Sequence, residues 1–332
     1  MGRKLHHFFM VRRSPKPIPL RQLLRWRLEA LSVRLVLGVL RGRTHSAMKH
    51  SIRWAHRLTR PWLSKRHNTA IENLTRVYGE QLTSSQRSVI AEESINSFFL
   101  SCLESIIQPI DDALISAEGE GLDQLLALHR QGQGVIIGSL HLGCWDLGLR
   151  WLSQRLNTPS VIYRPARNPH SDALLNSARR ANSHCNWISQ FDAKAMFRCL
   201  RQGGSLVMMT DLYSGGSDLL VDFLGLSTHF AKGPVALSQK SGCPLFPVAQ
   251  VREDNGRFRL LFGPALWPGQ GDDALAEQMA ALARWHEPWI QAYPEQYYWI
   301  NRRWRPGDGS GERLRPLGPP AVRVQPPAGA EP

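Results

Sequence analysis

Between Leu122 and Gly263 the chain alternates helical apolar spacing with short apolar runs, and this alternation restricts its folding more than any other feature. Leu122 to Arg130 has a helical pattern, and the turn QGQG leads into the strand Val135 to Leu140. Trp145 to Leu156 is helical again, Ser160 to Pro165 a strand, Ser171 to Ala181 and Ala193 to Arg201 helices, and Ser205 to Asp211 a strand ending at an acid. After a short helix over Val235 to Ser241, the runs CPLFPVAQVRE and RFRLLFG flank Asp254-Asn255-Gly256, a two-strand turn signal. Strands separated by helices form parallel neighbours through crossovers. The pattern therefore predicts an α/β fold, a mixed and mostly parallel sheet flanked by helices.

Sequence outside this core divides into two further parts. From Leu20 to Leu40, leucines 20, 23, 24, 28, 31 and 35 recur at helical spacing among arginines, and Glu29 is the one acid between Met1 and Arg66. This predicts a basic amphipathic helix, lying in a membrane interface or packed on its own domain. A second helix is expected from about Thr83 to Ile107, with Thr83-Ser84-Ser85 as caps. Leu275, Met279, Leu282, Trp285 and Trp289 stripe a last helix, expected to bend at Pro288. From Arg305 the Pro/Gly-rich tail lacks apolar periodicity and reads as disordered. The expected organisation is a basic membrane-associating segment over 1–65, a catalytic domain over 66–304 and a tail over 305–332.

The formal net charge of +14 in 332 residues predicts an acidic partner: nucleic acid, an anionic membrane, or an acidic protein or phosphorylated substrate. Zinc-finger spacing and an RNP-like stretch are missing, which argues against nucleic acid. No run reaches the ~18 apolar residues of a spanning helix, and Met1 to Pro19, with Arg12, Arg13 and Lys16, does not read as a secretory signal. The five cysteines form no CxxC pair and leave one over, so reduced thiols rather than a disulfide framework are expected.

Chemistry concentrates where apolar runs end. GSLHLGCWDLG places His141 and Asp146 five positions apart at a strand end, with Gly143 allowing a tight turn. Asp146 in the first helical turn can fold back onto one ring nitrogen and leave the other as a general base. Arg164 ends a second strand and Asp211 a third. No GxSxG elbow is present, so the histidine is expected to deprotonate a hydroxyl directly, as in one-step acyl transfer from a thioester, with Arg164 or backbone amides at the oxyanion. His141, Cys144 and Asp146 lack a zinc-site spacing, and neither metal nor cofactor is expected. A non-enzymatic membrane-binding module remains the reading from another class.

Five ordered blocks, GVIIGSLHLGCWDLG, VIYRPARNP, MMTDLYSGG, VDFLGLSTHFAKGPVALSQKSGCPLFPV and YPEQYYWINRRW, together resemble the bacterial lipid A biosynthesis acyltransferases, the lauroyl and myristoyl transferases of the lysophospholipid acyltransferase superfamily. The resemblance spans Arg66 to Arg303. It implies His141 as base and Asp146 as its partner, Arg164 and Asp211 in the polar site, Phe223 and Gly225 near the acyl channel, and structural roles for Glu295, Gln296 and Arg302. It also implies an acyl carrier protein as donor, a lipid A precursor or related glycolipid as acceptor, and a place on the cytoplasmic face of the bacterial inner membrane. Another lyso-lipid acceptor, or acyl-CoA as donor, is the alternative. Three departures stand out: Asp146 where the family often has Glu, a charge-interrupted segment in place of a spanning helix, and Asn301 where histidine is common.

Overall fold

The computed structural model describes residues 19–40, 45–107, 111–213, 219–305, 307 and 309–322. Met1 to Ile18, most of the stretch weighed above as a secretory signal, and the last ten residues lie outside the described ones. Helices α1 (Leu20–Leu40), α2 (His45–Tyr78) and α3 (Ser84–Ile107) come first. Thr83 and Gln86 exchange hydrogen bonds between side chain and backbone at the start of α3, satisfying two amides that a helix end otherwise leaves orphaned. The body follows in the order β1 (Ile115–Glu118), α4 (Leu122–Arg130), β2 (Val135–Ser139), α5 (Trp145–Arg155), β3 (Ser160–Tyr163), α6 (Pro169–Asn182), β4 (Asn186–Ser189), α7 (Ala193–Arg201) and β5 (Ser205–Met209). It closes with β6 (Leu219–Phe223), β7 (Leu226–Phe230), α8 (Gly233–Ser241), β8 (Leu245–Arg252), β9 (Phe258–Phe262) and α9 (Ala274–Ala292).

Among the described residues seven strands form one sheet in the order β1-β9-β8-β2-β5-β3-β4. Every neighbouring pair is parallel except β8 and β9, the hairpin expected around Asp254-Asn255-Gly256. The α/β expectation holds. β1 and β4 escape the sequence pattern because neither holds an apolar run of three residues such as Val161 to Tyr163 of β3. β6 and β7 form a separate antiparallel ribbon.

Strand side chains alternate between two apolar layers. Ile136, Leu140, Leu206 and Met208 join the core under α2, α3, α8 and α9, whereas Val135, Ile137, Val207 and Phe246 join the core under α4 and α5. The register of β2 on β5 pairs Ser139 with Met209, so the residues two steps beyond each strand, His141 and Asp211, emerge side by side.

Two boundaries differ from the sequence expectation. Helix α2 runs unbroken across residue 65, so the basic segment and the body share an element. The tail expected to be disordered from Arg305 instead packs as far as Val322. Leu317 is buried, Leu226 bridges to Arg313, Arg315 pairs with Asp222 and Glu287, and the Gln81 side chain donates to the Leu317 carbonyl. The tail is held by polar contacts, an isolated bridge and two separate apolar anchors on the main core, Leu317 and Val322, which leave no periodic apolar pattern to read. Helix α9 continues through Pro288.

Candidate active site

His141 lies just beyond the carboxyl end of β2, in a turn that only glycine can complete. Gly143 has φ of +60°, and a Cβ there would stand 2.2 Å from the Gln250 carbonyl oxygen. The terminal block ties the turn down from the other side. Leu142 bridges to Tyr297, the Tyr298 amide donates to the His141 carbonyl at 3.0 Å, and the Gly143 amide donates to the Gln296 carbonyl. Gln296 also brackets Arg252, accepting from its amide and donating to its carbonyl. Trp145 and Tyr298 stand against the imidazole with ring centroids at 5.1 and 5.4 Å.

The carboxylate that meets the ring belongs to Asp211. Nδ1 of His141 lies 2.8 Å from Oδ1, and the His141 backbone amide donates to Oδ2 at 2.9 Å. Asp146, expected in that place, faces Arg179 of α6 instead, with its Oδ2 3.3 Å from Nε and 3.2 Å from Nη2. The His141–Asp146 pairing read from spacing is therefore corrected to His141–Asp211, since the Arg179 guanidinium of α6 engages the Asp146 carboxylate while Asp211 holds the ring. Asp211 is 4% exposed. Burial opposes its charge, but the His141 ring and amide, with Arg303 behind them, more than offset that and hold the carboxyl below its ordinary range.

Arg303 carries no signal in the sequence beyond its place in the terminal block. It is buried with its guanidinium 3.9 Å from the Phe230 ring centroid and 5.6 Å from that of Phe223, and among the described residues none of its three guanidinium nitrogens has a hydrogen-bond partner. Phe223, expected near the acyl channel, is thus a core residue packed on Phe230, Tyr297 and Trp304. Gly225, with φ of +73°, makes the turn between β6 and β7 against residues 313–315. Arg302 is at the surface, 3.8 Å from Glu72. Cys144 is buried, and burial pushes its thiol well above the usual range, away from a nucleophilic thiolate. Among the described residues no cluster of His, Cys, Asp and Glu could hold a metal ion.

Cavities meet at His141 from each face of the sheet. The smaller, about 190 Å³, lies under α5 and α6, with Leu149, Leu152, Val161, Trp187 and Val207 in its wall and Asp146 and Arg179 at its polar side. The larger, about 830 Å³, lies over β3 and β5 toward α7 and α8. His141, Ile162, Tyr163, Arg164 and Met209 border both.

An imidazole held by a buried carboxylate at a strand end, with a cavity on each side, has the chemistry of a candidate general base. The chain belongs to the bacterial lipid A biosynthesis acyltransferase family, whose model matches residues 23–306, and it is an acyltransferase. It is 26% identical over 257 residues to the lipid A biosynthesis palmitoleoyltransferase of Escherichia coli K12, covering 75% of this chain and 81% of that one. The E. coli lipid A biosynthesis lauroyltransferase is 27% identical over 190 residues, 56% of this chain and 60% of its own. A phosphatidylinositol mannoside acyltransferase of Mycobacterium tuberculosis is 26% identical over 189 residues, 55% of this chain and 58% of its own.

Proposed function

We propose that this protein moves a fatty acyl chain from an acyl carrier protein thioester to a hydroxyl of a glycolipid, a lipid A precursor in the first instance, with His141 as general base and Asp211 as the group that orients it. The observation that carries the reading is the 2.8 Å contact of Nδ1 with Asp211, which leaves Nε2 for the acceptor. Nε2 takes the hydroxyl proton while the oxygen attacks the thioester carbonyl. A C–O bond forms, the C–S bond breaks, and the imidazolium returns the proton to the departing thiolate. Arg164, at the junction of the two cavities, meets the developing oxyanion.

The protein works at an anionic membrane surface, on the cytoplasmic face of the inner membrane. No helix among the described residues is long and apolar enough to cross a membrane. Helix α1 packs on the body through α6, whose N-cap Asn168 donates to the Trp26 carbonyl, and leaves Leu20, Leu24, Leu28, Leu31 and Leu35 exposed. That row among arginines suits insertion into the headgroup region, each nearby Arg adding ~1 kcal/mol on an anionic leaflet. Cosedimentation with phosphatidylglycerol vesicles should fall sharply for Leu28→Asp/Leu35→Asp. Undiminished binding refutes this placement.

The similarity to mycobacterial glycolipid acyltransferases supports a second reading, in which the acceptor is another glycolipid or lyso-lipid. Purified protein with acyl carrier protein donor and a panel of acceptors, read by mass spectrometry, separates the two. An added acyl chain on the lipid A precursor supports the first reading, transfer confined to another lipid supports the second, and no transfer to any acceptor overturns both.

A further inference from the structure

The larger cavity differs from the smaller in charge as well as in size. Its lining carries Arg164, Lys194 and Lys240 and no Asp or Glu, whereas the smaller has Asp146 and Asp172 in its wall. Lys194 stands in the first turn of α7 and Lys240 in the last turn of α8, both solvent-exposed, and neither lysine has an ion-pair partner among the described residues. Met196, Phe197, Leu212 and Leu237 line the same groove, and so does His141. A ligand that fits must be long, mostly uncharged along its length, anionic at its outer part, and reactive at the end that reaches the imidazole.

We infer that this groove receives the phosphopantetheine arm of the acyl donor, with the phosphodiester at Lys194 and Lys240 and the thioester at His141. This rests on the acyltransfer reading above and adds the donor's binding site. The two lysines are point charges on flexible stems, suited to a phosphate that must arrive and leave at every turnover. The smaller cavity, with Asp146 paired to Arg179 and Asp172 accepting from the Ala166 amide and Asn176, then lies on the opposite side of the reacting carbonyl.

Acyl carrier protein and coenzyme A share this arm, so both phosphorylated donors should lose binding when the lysines are reversed, while a truncated donor without phosphate, acyl-N-acetylcysteamine, provides the reference. In Lys194→Glu/Lys240→Glu the KM for a phosphorylated donor should rise about tenfold with kcat little changed, as when binding common to ground and transition states is removed. The preference for that donor over the truncated one should fall by the same factor. Lys194→Gln/Lys240→Gln should give a smaller change in the same direction. Where only the carrier protein or only coenzyme A supports transfer, a rise for that donor supports the site and identifies its source of phosphate, whereas a rise for just one of two working donors overturns it. An unchanged donor preference, or a raised KM for the acceptor with donors unaffected, overturns the assignment. Absence of transfer by the unmodified protein from every donor refutes the acyltransfer reading itself.

Discussion

Asp211 grips His141 at two points, ring Nδ1 at 2.8 Å and backbone amide at 2.9 Å, across a gap of 70 residues in sequence. One contact fixes the tautomer and the other fixes the turn that carries the ring. Asp211→Asn keeps an oxygen for the amide but offers the ring an ambiguous partner. Acyl transfer should fall about 10²- to 10⁴-fold, while the denaturation midpoint drops as buried Arg303 loses its counter-charge, which steady-state kinetics and urea unfolding on the same preparation check.

The Asp146–Arg179 pair acts as a unit beside the ring, joining α5 to α6 over the smaller cavity. Asp146→Asn and Arg179→Gln should therefore lower kcat/KM by similar factors, and the double variant should be little worse than either single one. Multiplicative losses in that double-mutant cycle refute the coupling.

These two pairs mark where the sequence was legible and where it was not. His141, Arg164 and Asp211 each end an apolar run, and reactive groups gather beyond the carboxyl ends of parallel strands, so all three were visible without coordinates. Which acid reaches the ring depends on β2 lying next to β5, and nothing in the local spacing of His141 and Asp146 carries that adjacency. Phe223 was misplaced for the related reason that an aromatic in a short hairpin looks the same whether it lines a channel or covers a buried arginine. The packed tail after Arg305 is held by scattered polar contacts and isolated apolar anchors such as Leu317, which periodicity does not register.

Glu104 and Arg252 form a buried ion pair beneath the site. The Arg252 Nε lies 2.9 Å from both carboxylate oxygens, and its other nitrogens donate to Ser97 and Ser101. Glu104→Ala leaves the guanidinium buried and uncompensated, and should destabilise the fold by about 3–5 kcal/mol in urea unfolding. Replacing both partners, as in Glu104→Leu/Arg252→Met, should cost less than the single change. The reverse order contradicts the desolvation argument.

His286 on α9 is buried, donates to the Val248 carbonyl at 3.3 Å, and is pushed down to about 4 by burial. The unfolded chain binds a proton at this residue below its ordinary value of about 6.5 while the folded protein does not. Stability contributed above that value is therefore lost as pH falls from about 6.5 toward 4, by roughly 3 kcal/mol. His286→Gln should flatten this part of the curve when urea midpoints at pH 7 and pH 4.5 are compared. An equal loss in the variant assigns the effect to other groups.

The most direct test is mass-spectrometric measurement of acyl transfer to a glycolipid hydroxyl by His141→Ala protein whose circular dichroism and unfolding midpoint match the unmodified chain. Turnover should fall at least about 10²-fold, to a residue independent of the acid at 211. Transfer at the unmodified rate from that folded variant contradicts the assignment of His141 as the base.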